Sequence, residues 1–130
     1  MIMKRLLLVL LLCLPVLVCA QKIVSETDTH TVTPEAHIFA ERGRKITIGD
    51  NTFIAADCVL HGPLTIGSEV AINHHCILDG GRVGIKLHDQ VRIAAYCHLY
   101  AFDHGMELDT PIYQQPVRSQ GIEIGKDVWL

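Results

Sequence analysis

From Ile48 onward one aliphatic residue recurs at every sixth position: Ile48, Ile54, Leu60, Ile66, Ile72 and Leu78. The pattern slips by three residues to Leu87 and resumes with Ile93 and Leu99. After a long gap it returns in phase at Ile124 and Leu130. Val32 and Ile38 make a weaker start upstream. A period of six fits neither an amphipathic helix nor a half-buried strand. It fits a triangular solenoid in which each hexad forms one flat side and one corner, and three hexads form a coil. The aliphatic side chain points inward and stacks on its equivalent in the coils on either side, whose strands pair in parallel about 4.8 Å apart. The expected fold is all-β, a parallel β-helix. Coil one covers 48–65, coil two covers 66–86 with three extra residues around 80–84, and coil three begins at Leu87. No helix is needed beyond the N-terminal leader.

A second inward position follows four residues after the first. It holds Thr52, Cys58, Leu64, Val70, Cys76, Val91, Cys97 and Val128, mostly small or β-branched, as a corner requires. Gly49, Gly67 and Gly125 directly follow an aliphatic residue, where the chain is expected to leave a tight corner. Cys58, Cys76 and Cys97 share one side and should stack as a column. Such thiols are small, polarizable core residues; metal or redox chemistry is the alternative.

The repeat breaks between Leu99 and Ile124, where 25 residues replace six. An insertion of about 19 residues exceeds the ~12–15 at which irregular loops become uncommon and are often functional. It contains Phe102-Asp103-His104-Gly105, then Pro111 and Gln114-Gln115-Pro116, and its glycine and prolines suggest a defined path.

The segment from Ile85 to His104, IKLHDQVRIAAYCHLYAFDH, resembles the part of maltose- and galactoside-type hexapeptide-repeat O-acetyltransferases that ends in their catalytic histidine. In that family an inserted loop follows, then a hexad containing tryptophan; here the hexad is GIEIGKDVWL, with Trp129. One coil earlier, IGSEVAINHHCILDG is similar to the family's acceptor-binding strand, placing the asparagine at Asn73 and the nearby acid, off by one position, at Asp79. The resemblance covers about residues 46–130. It implies a left-handed β-helix and an acetyl-CoA-dependent O-acetyltransferase acting on a sugar or glycoconjugate hydroxyl. His104 would be the catalytic base, Asn73 and Asp79 would bind the acceptor, Asp103 would orient the imidazole and Trp129 would pack on the cofactor side. It also implies a homotrimer with the site between subunits, and no metal. His88 departs from the family pattern by standing where the repeat usually has glycine, and His74 and His75 match no family role. The chain stops at Leu130 in mid-coil, whereas the family continues through coils that carry much of the acetyl-CoA contact, so a fragment is expected.

Composition adds a compartment question. Residues 1–20 read as a secretory signal peptide or hydrophobic leader: basic at Lys4 and Arg5, apolar from Leu6 to Leu17, with a small-residue cleavage site ending at Ala20. The apolar run is shorter than the ~20 residues that span a bilayer, so membrane contact would come only through an uncleaved leader. Residues 21–45 form a lead-in. Without the two leader cations the formal charge of −3 becomes about −5, which argues against nucleic acid as a partner. The leader points to export; acetyl-CoA chemistry and the column of three cysteines, an odd number that cannot all pair within one chain, point to the cytosol. Two other readings stay open. A γ-type carbonic anhydrase would need three histidines converging on zinc across subunits, drawn from His74, His75, His98 and His104. A non-catalytic solenoid would fit the leader and the abrupt end.

Overall fold

The computed structural model describes residues 31–130; the leader reading and the first part of the lead-in lie outside the described residues. Four rungs stack along one axis. The first holds β1 (Thr31–Val32), β2 (His37–Phe39) and β3 (Ile46–Ile48); the second holds β4 (Phe53–Ile54), β5 (Val59–His61) and β6 (Leu64–Ile66). The third holds β7 (Ala71–Ile72), β8 (Ile77–Asp79) and β9 (Ile85–Leu87). The fourth holds β10 (Arg92–Ile93) and β11 (His98–Tyr100), leaves the solenoid through β12 (Asp103–His104) and β13 (Val117–Arg118), and returns as β14 (Ile122–Ile124).

Three parallel sheets result: face A from β1, β4, β7 and β10, face B from β2, β5, β8 and β11, and face C from β3, β6, β9 and β14. The six-residue period is the distance from one face to the next. On face C, Ile46 pairs with Leu64, Leu64 with Ile85 and Ile85 with Ile122. These offsets of 18, 21 and 37 residues are the regular coil, the coil with three extra residues and the coil with the long insertion. The weak start at Val32 and Ile38 is a rung as well, since β1 and β2 pair in register with β4 and β5.

The core is the column of hexad residues. Ile38, Ile54, Leu60, Ile72, Leu78 and Ile93 are all at most 2% exposed. Face C buries two residues per strand, Ile46 with Ile48, Leu64 with Ile66 and Ile85 with Leu87, because its three-residue strands have both ends turned inward. The small corner positions Thr52, Cys58, Val70, Cys76 and Val91 are buried too. The Thr52 hydroxyl is satisfied there: it donates to the Gly67 carbonyl and accepts the Val70 amide.

The corners use their glycines differently from the sequence expectation. From Ile48 onward the left-handed backbone falls three residues after every aliphatic position of faces A and C, at Asn51, Asp57, Glu69, His75, Gln90, Tyr96 and Asp127, and on face B after Leu78, at Gly81. Most of these are residues with a side chain, held in αL by the ladder above and below. Gly49 and Gly67 serve coil stacking instead. A Cβ on Gly49 would stand 2.6 Å from the Gly67 backbone, and one on Gly67 would stand 2.8 Å from that of His88. The insertion also contains a single 3-10 turn, Ile112–Gln114, where the sequence required no helix. Among the described residues no helix is long and apolar enough to cross a membrane.

The thiol column is present, with Cys58 and Cys76 buried, Cys97 partly so and all three free. The Cys58 thiol donates to the Asn73 carbonyl at 3.0 Å and that of Cys76 to Ala94 at 3.1 Å. Burial pushes both thiols above their ordinary range. The native state therefore keeps these protons to higher pH than the unfolded chain does. The corresponding stability is complete below the ordinary thiol pKa and is lost as pH rises through the native value. Unfolding midpoints in urea should hold steady up to the ordinary thiol range and fall beyond it, and the fall should be smaller in Cys76→Ala measured against its own neutral-pH midpoint. Ile54→Ala should lower unfolding free energy by about 2–5 kcal/mol, read from the same urea titrations.

Candidate active site

The solenoid has three corners per rung, and its departures from the hexad share one of them. Residues 40–45 between β2 and β3, residues 80–84 between β8 and β9, and residues 101–121 between β11 and β14 all lie where face B turns into face C. The ladder runs on through this corner: Gly62 N–H donates to Phe39 O, Gly80 N–H to His61 O, and Ala101 N–H to Asp79 O. Each excursion therefore starts from a fixed rung.

The long excursion is a built hairpin. β12 and β13 pair antiparallel, Asp103 with Arg118 and His104 with Val117. Beyond them Gln115, 7% exposed, holds the tip. Its Oε1 accepts the Glu107 amide at 2.8 Å, and its amide group donates to the carbonyls of Glu107 at 2.9 Å and Thr110 at 2.6 Å. Gly105 packs against this side chain; a Cβ there would stand 2.5 Å from Gln115 Oε1. At the base, the Ser119 hydroxyl donates to Ala101 O at 2.6 Å and accepts the amides of Arg82 and Val83 at 3.1 and 3.2 Å. The tip carries exposed apolar side chains, Met106, Leu108, Ile112 and Tyr113.

Between hairpin and solenoid lies an open cleft of about 530 Å³ lined by Tyr100, Phe102, Asp103, His104, Glu107, Arg118 and neighbouring residues. Tyr100 and Phe102 meet edge to face at 5.8 Å and supply an apolar wall. Glu107 and Arg118 approach to 3.7 Å on the exposed hairpin, a pairing that water screens. Asp103 and His104 are both exposed. Asp103 Oδ1 accepts the backbone amide of His104 at 2.9 Å, so this oxygen caps the strand and is not directed at the imidazole.

The remaining candidates lie elsewhere. Asp79 ends β8 on the outer surface of face B, in register with His61 and Tyr100. Its Oδ1 accepts from Arg44 at 3.1 Å and from the Gly81 amide at 3.0 Å, and its Oδ2 lies 3.3 Å from His61 Nδ1. Asn73 is exposed at the corner between faces A and B, and it does not line the cleft. Trp129 bridges to Arg92 on face A and is 80% exposed. His74 and His75 gather with Tyr96 at the corner next to Asn73, the His75 and Tyr96 rings stacking at 4.9 Å. His88 reaches Glu123 at 2.7 Å; this hydrogen bond and that of Lys86 hold the Glu123 carboxyl below its usual range. Among the described residues no three or more His, Cys, Asp or Glu side chains are grouped to hold a metal ion within the chain.

The structure thus brings Asp103 and His104 into one cleft and leaves Asn73, Asp79 and Trp129 outside it. The cleft's two other charged residues, Glu107 and Arg118, had no signal in the sequence. They face the cleft only because β12 and β13 pair, and that pairing follows no repeat.

No protein-family model matches the chain. Over 91 residues, 69% of this chain, it is 31% identical to a probable acetyltransferase of Mycobacterium tuberculosis, and it spans 29% of that protein. Its fold matches that of AntD, an N-acyltransferase from Bacillus cereus. With AntD in complex with dTDP-4-amino-4,6-dideoxyglucose and coenzyme A the TM-score is 0.69 at 30% identity, over 82% of this chain and 60% of that one. With AntD in complex with dTDP and coenzyme A the TM-score is 0.65 at 30% identity, over 75% of this chain and 55% of that one. The chain is thus similar in sequence and fold to acyltransferases. It spans less than two thirds of the length of each of these acyltransferase relatives.

The hairpin geometry sets a direct test. Gly105→Ala forces Cβ against Gln115 and should loosen the tip. Amide hydrogen exchange over residues 105–115 should rise about tenfold while the rungs from β4 to β9 stay protected.

Proposed function

We propose that the chain carries the working histidine of an acetyl-CoA-dependent O-acetyltransferase that acts on a sugar or glycoconjugate hydroxyl. The observation that carries this reading is the position of His104: on a braced hairpin, at the wall of the cleft, in a solenoid related to acyltransferases. AntD, to which the fold is similar, is described with coenzyme A and a dTDP-sugar, which supports an acyl-CoA donor and a sugar-like acceptor.

In this reading the His104 imidazole takes the acceptor hydroxyl proton as that oxygen attacks the thioester carbonyl carbon. The tetrahedral intermediate then collapses, the carbon–sulfur bond breaks, and the imidazolium returns the proton to the departing thiolate. The products are the acyl ester and the free thiol of coenzyme A. A histidine suits both proton transfers because one ring serves as base and then as acid. Tyr100 and Phe102 offer a surface for the apolar face of a sugar ring, with Glu107 and Arg118 available to its hydroxyls. Asn73, at another corner, would reach such a cleft from a neighbouring copy in a homotrimer, as the family resemblance implies; Trp129 lies past the fourth rung, stacked on Arg92 of β10, where a donor could pack. A second reading, transfer to an amine, rests on the likeness to AntD, an N-acyltransferase.

The test is thiol release from acetyl-CoA with a panel of hydroxyl and amino sugars, using the full-length protein and His104→Ala. Turnover should fall by about 10²–10⁴-fold in the variant. An acceptor used only as the amine would replace the O-transfer reading with the second. No release with any acceptor, in folded protein that binds no acetyl-CoA, would overturn both.

A further inference from the structure

Three departures from the repeat meet at the corner between faces B and C, and a continuous set of hydrogen bonds joins them. Arg44, from the first excursion, donates to the Gly62 carbonyl and, at 3.1 Å, to Asp79 Oδ1. The same oxygen accepts the Gly81 amide at 3.0 Å, fixing the start of the second excursion. The next two amides, of Arg82 and Val83, both donate to Ser119 Oγ. Ser119 in turn donates to Ala101 O. One hydroxyl thus closes the insertion on itself, joining residues 18 apart, and ties it to the rung above. With one donated and two accepted bonds its capacity is full.

There is little slack. Gly81 is left-handed at φ +58°, and a Cβ on it would stand 2.8 Å from Ser119 Oγ and 3.0 Å from Ala101 O. Ser119 directly follows Arg118, the residue paired with Asp103, and Ala101 precedes His104 by three residues. The placement of the His104 hairpin against the solenoid therefore depends on this corner. Asp79 has both carboxylate oxygens engaged, by Arg44 and Gly81 on one and His61 on the other.

We propose that Ser119 and Asp79 are positioning residues: together they fix the base of the hairpin and so the place of His104 over the cleft. For Asp79 this replaces the acceptor contact that family resemblance implies. The inference rests on the proposed role of His104 for its effect on rate, and on geometry alone for its effect on the hairpin. Removing the Ser119 hydroxyl leaves amides that water can reach, so the fold is retained while the hairpin base gains freedom. A misplacement of about 1 Å can cost about a hundredfold in rate.

Two measurements on the full-length protein separate this inference from the functional reading. In Ser119→Ala, amide exchange at residues 103–105, 117 and 118 should rise about tenfold with β5 to β8 unchanged; unchanged exchange in the hairpin overturns the brace whatever the activity. In steady-state acyl transfer, Ser119→Ala should lower kcat by about ten- to a hundredfold with both KM values within about twofold. Ser119→Thr, which keeps the hydroxyl, should recover most of the rate. A kcat equal to that of the parent, in protein whose His104→Ala variant is inactive, overturns the positioning role while leaving the reaction intact. Asp79→Ala should lower kcat in the same way, and the double variant should be no worse than either single one, as expected of one coupled unit. A selective rise in acceptor KM with kcat unchanged would instead make Asp79 an acceptor contact.

Discussion

A parallel ladder without hairpins is the constraint on which this molecule depends. In an antiparallel sheet a strand finds its partner a few residues away. On the three faces of the solenoid the strand amides instead bond to carbonyls about one full coil distant, as Val59 does to Cys76 and Ala71 to Val91. No rung can satisfy its own backbone, and none can bury its own aliphatic face, so stability arises only between neighbours. The coil length must then repeat closely, because a slip of one residue would turn an inward isoleucine outward. The left-handed corners follow from the same demand. Residues such as Asp57, His75 and Tyr96 accept an unfavourable backbone because the ladder on both sides leaves no other path.

Departures from that repeat are confined to one edge. The corners between faces A and B and between C and A keep their stacked small residues and close backbone approaches, as at Gly49 and Gly67. The third corner absorbs the extra residues of the first, third and fourth rungs and links them through Arg44, Asp79 and Ser119. Chemistry-bearing side chains gather there because that is where the chain is free to leave the solenoid. A rigid frame carrying a braced hairpin suits a group that must hold its place within a fraction of an ångström.

Most of the frame was legible in the sequence because a single periodic signal encodes it. The inward columns through Ile54, Ile72 and Ile93 and through Leu60 and Leu78 could be written down directly, and so could the lengths of the coils. The αL corners were not, since asparagine, aspartate, glutamate, histidine, glutamine and tyrosine all occupy them and share no chemical mark. The site was legible in part. His104 and Asp103 stand out through the insertion and its likeness to known enzymes, and both line the cleft. Glu107, Arg118 and Ser119 could not be read, because a hairpin pairing of two-residue strands leaves no periodic trace. Asp79 shows the reverse: its place in the chain suggested a ligand contact, whereas its oxygens hold Arg44, His61 and Gly81.

The thiol column has a consequence for the age of the molecule after synthesis. Cysteines that are buried, protonated and bonded to backbone carbonyls are shielded from oxidants while the rungs stay stacked. Only a chain whose rungs have parted would expose them, and oxidation of that chain would block restacking, because a sulfinic or sulfonic group cannot fit where Cys58 and Cys76 now sit. Oxidative damage would therefore act as a one-way ratchet that removes molecules which have opened even once, and spares those that have not.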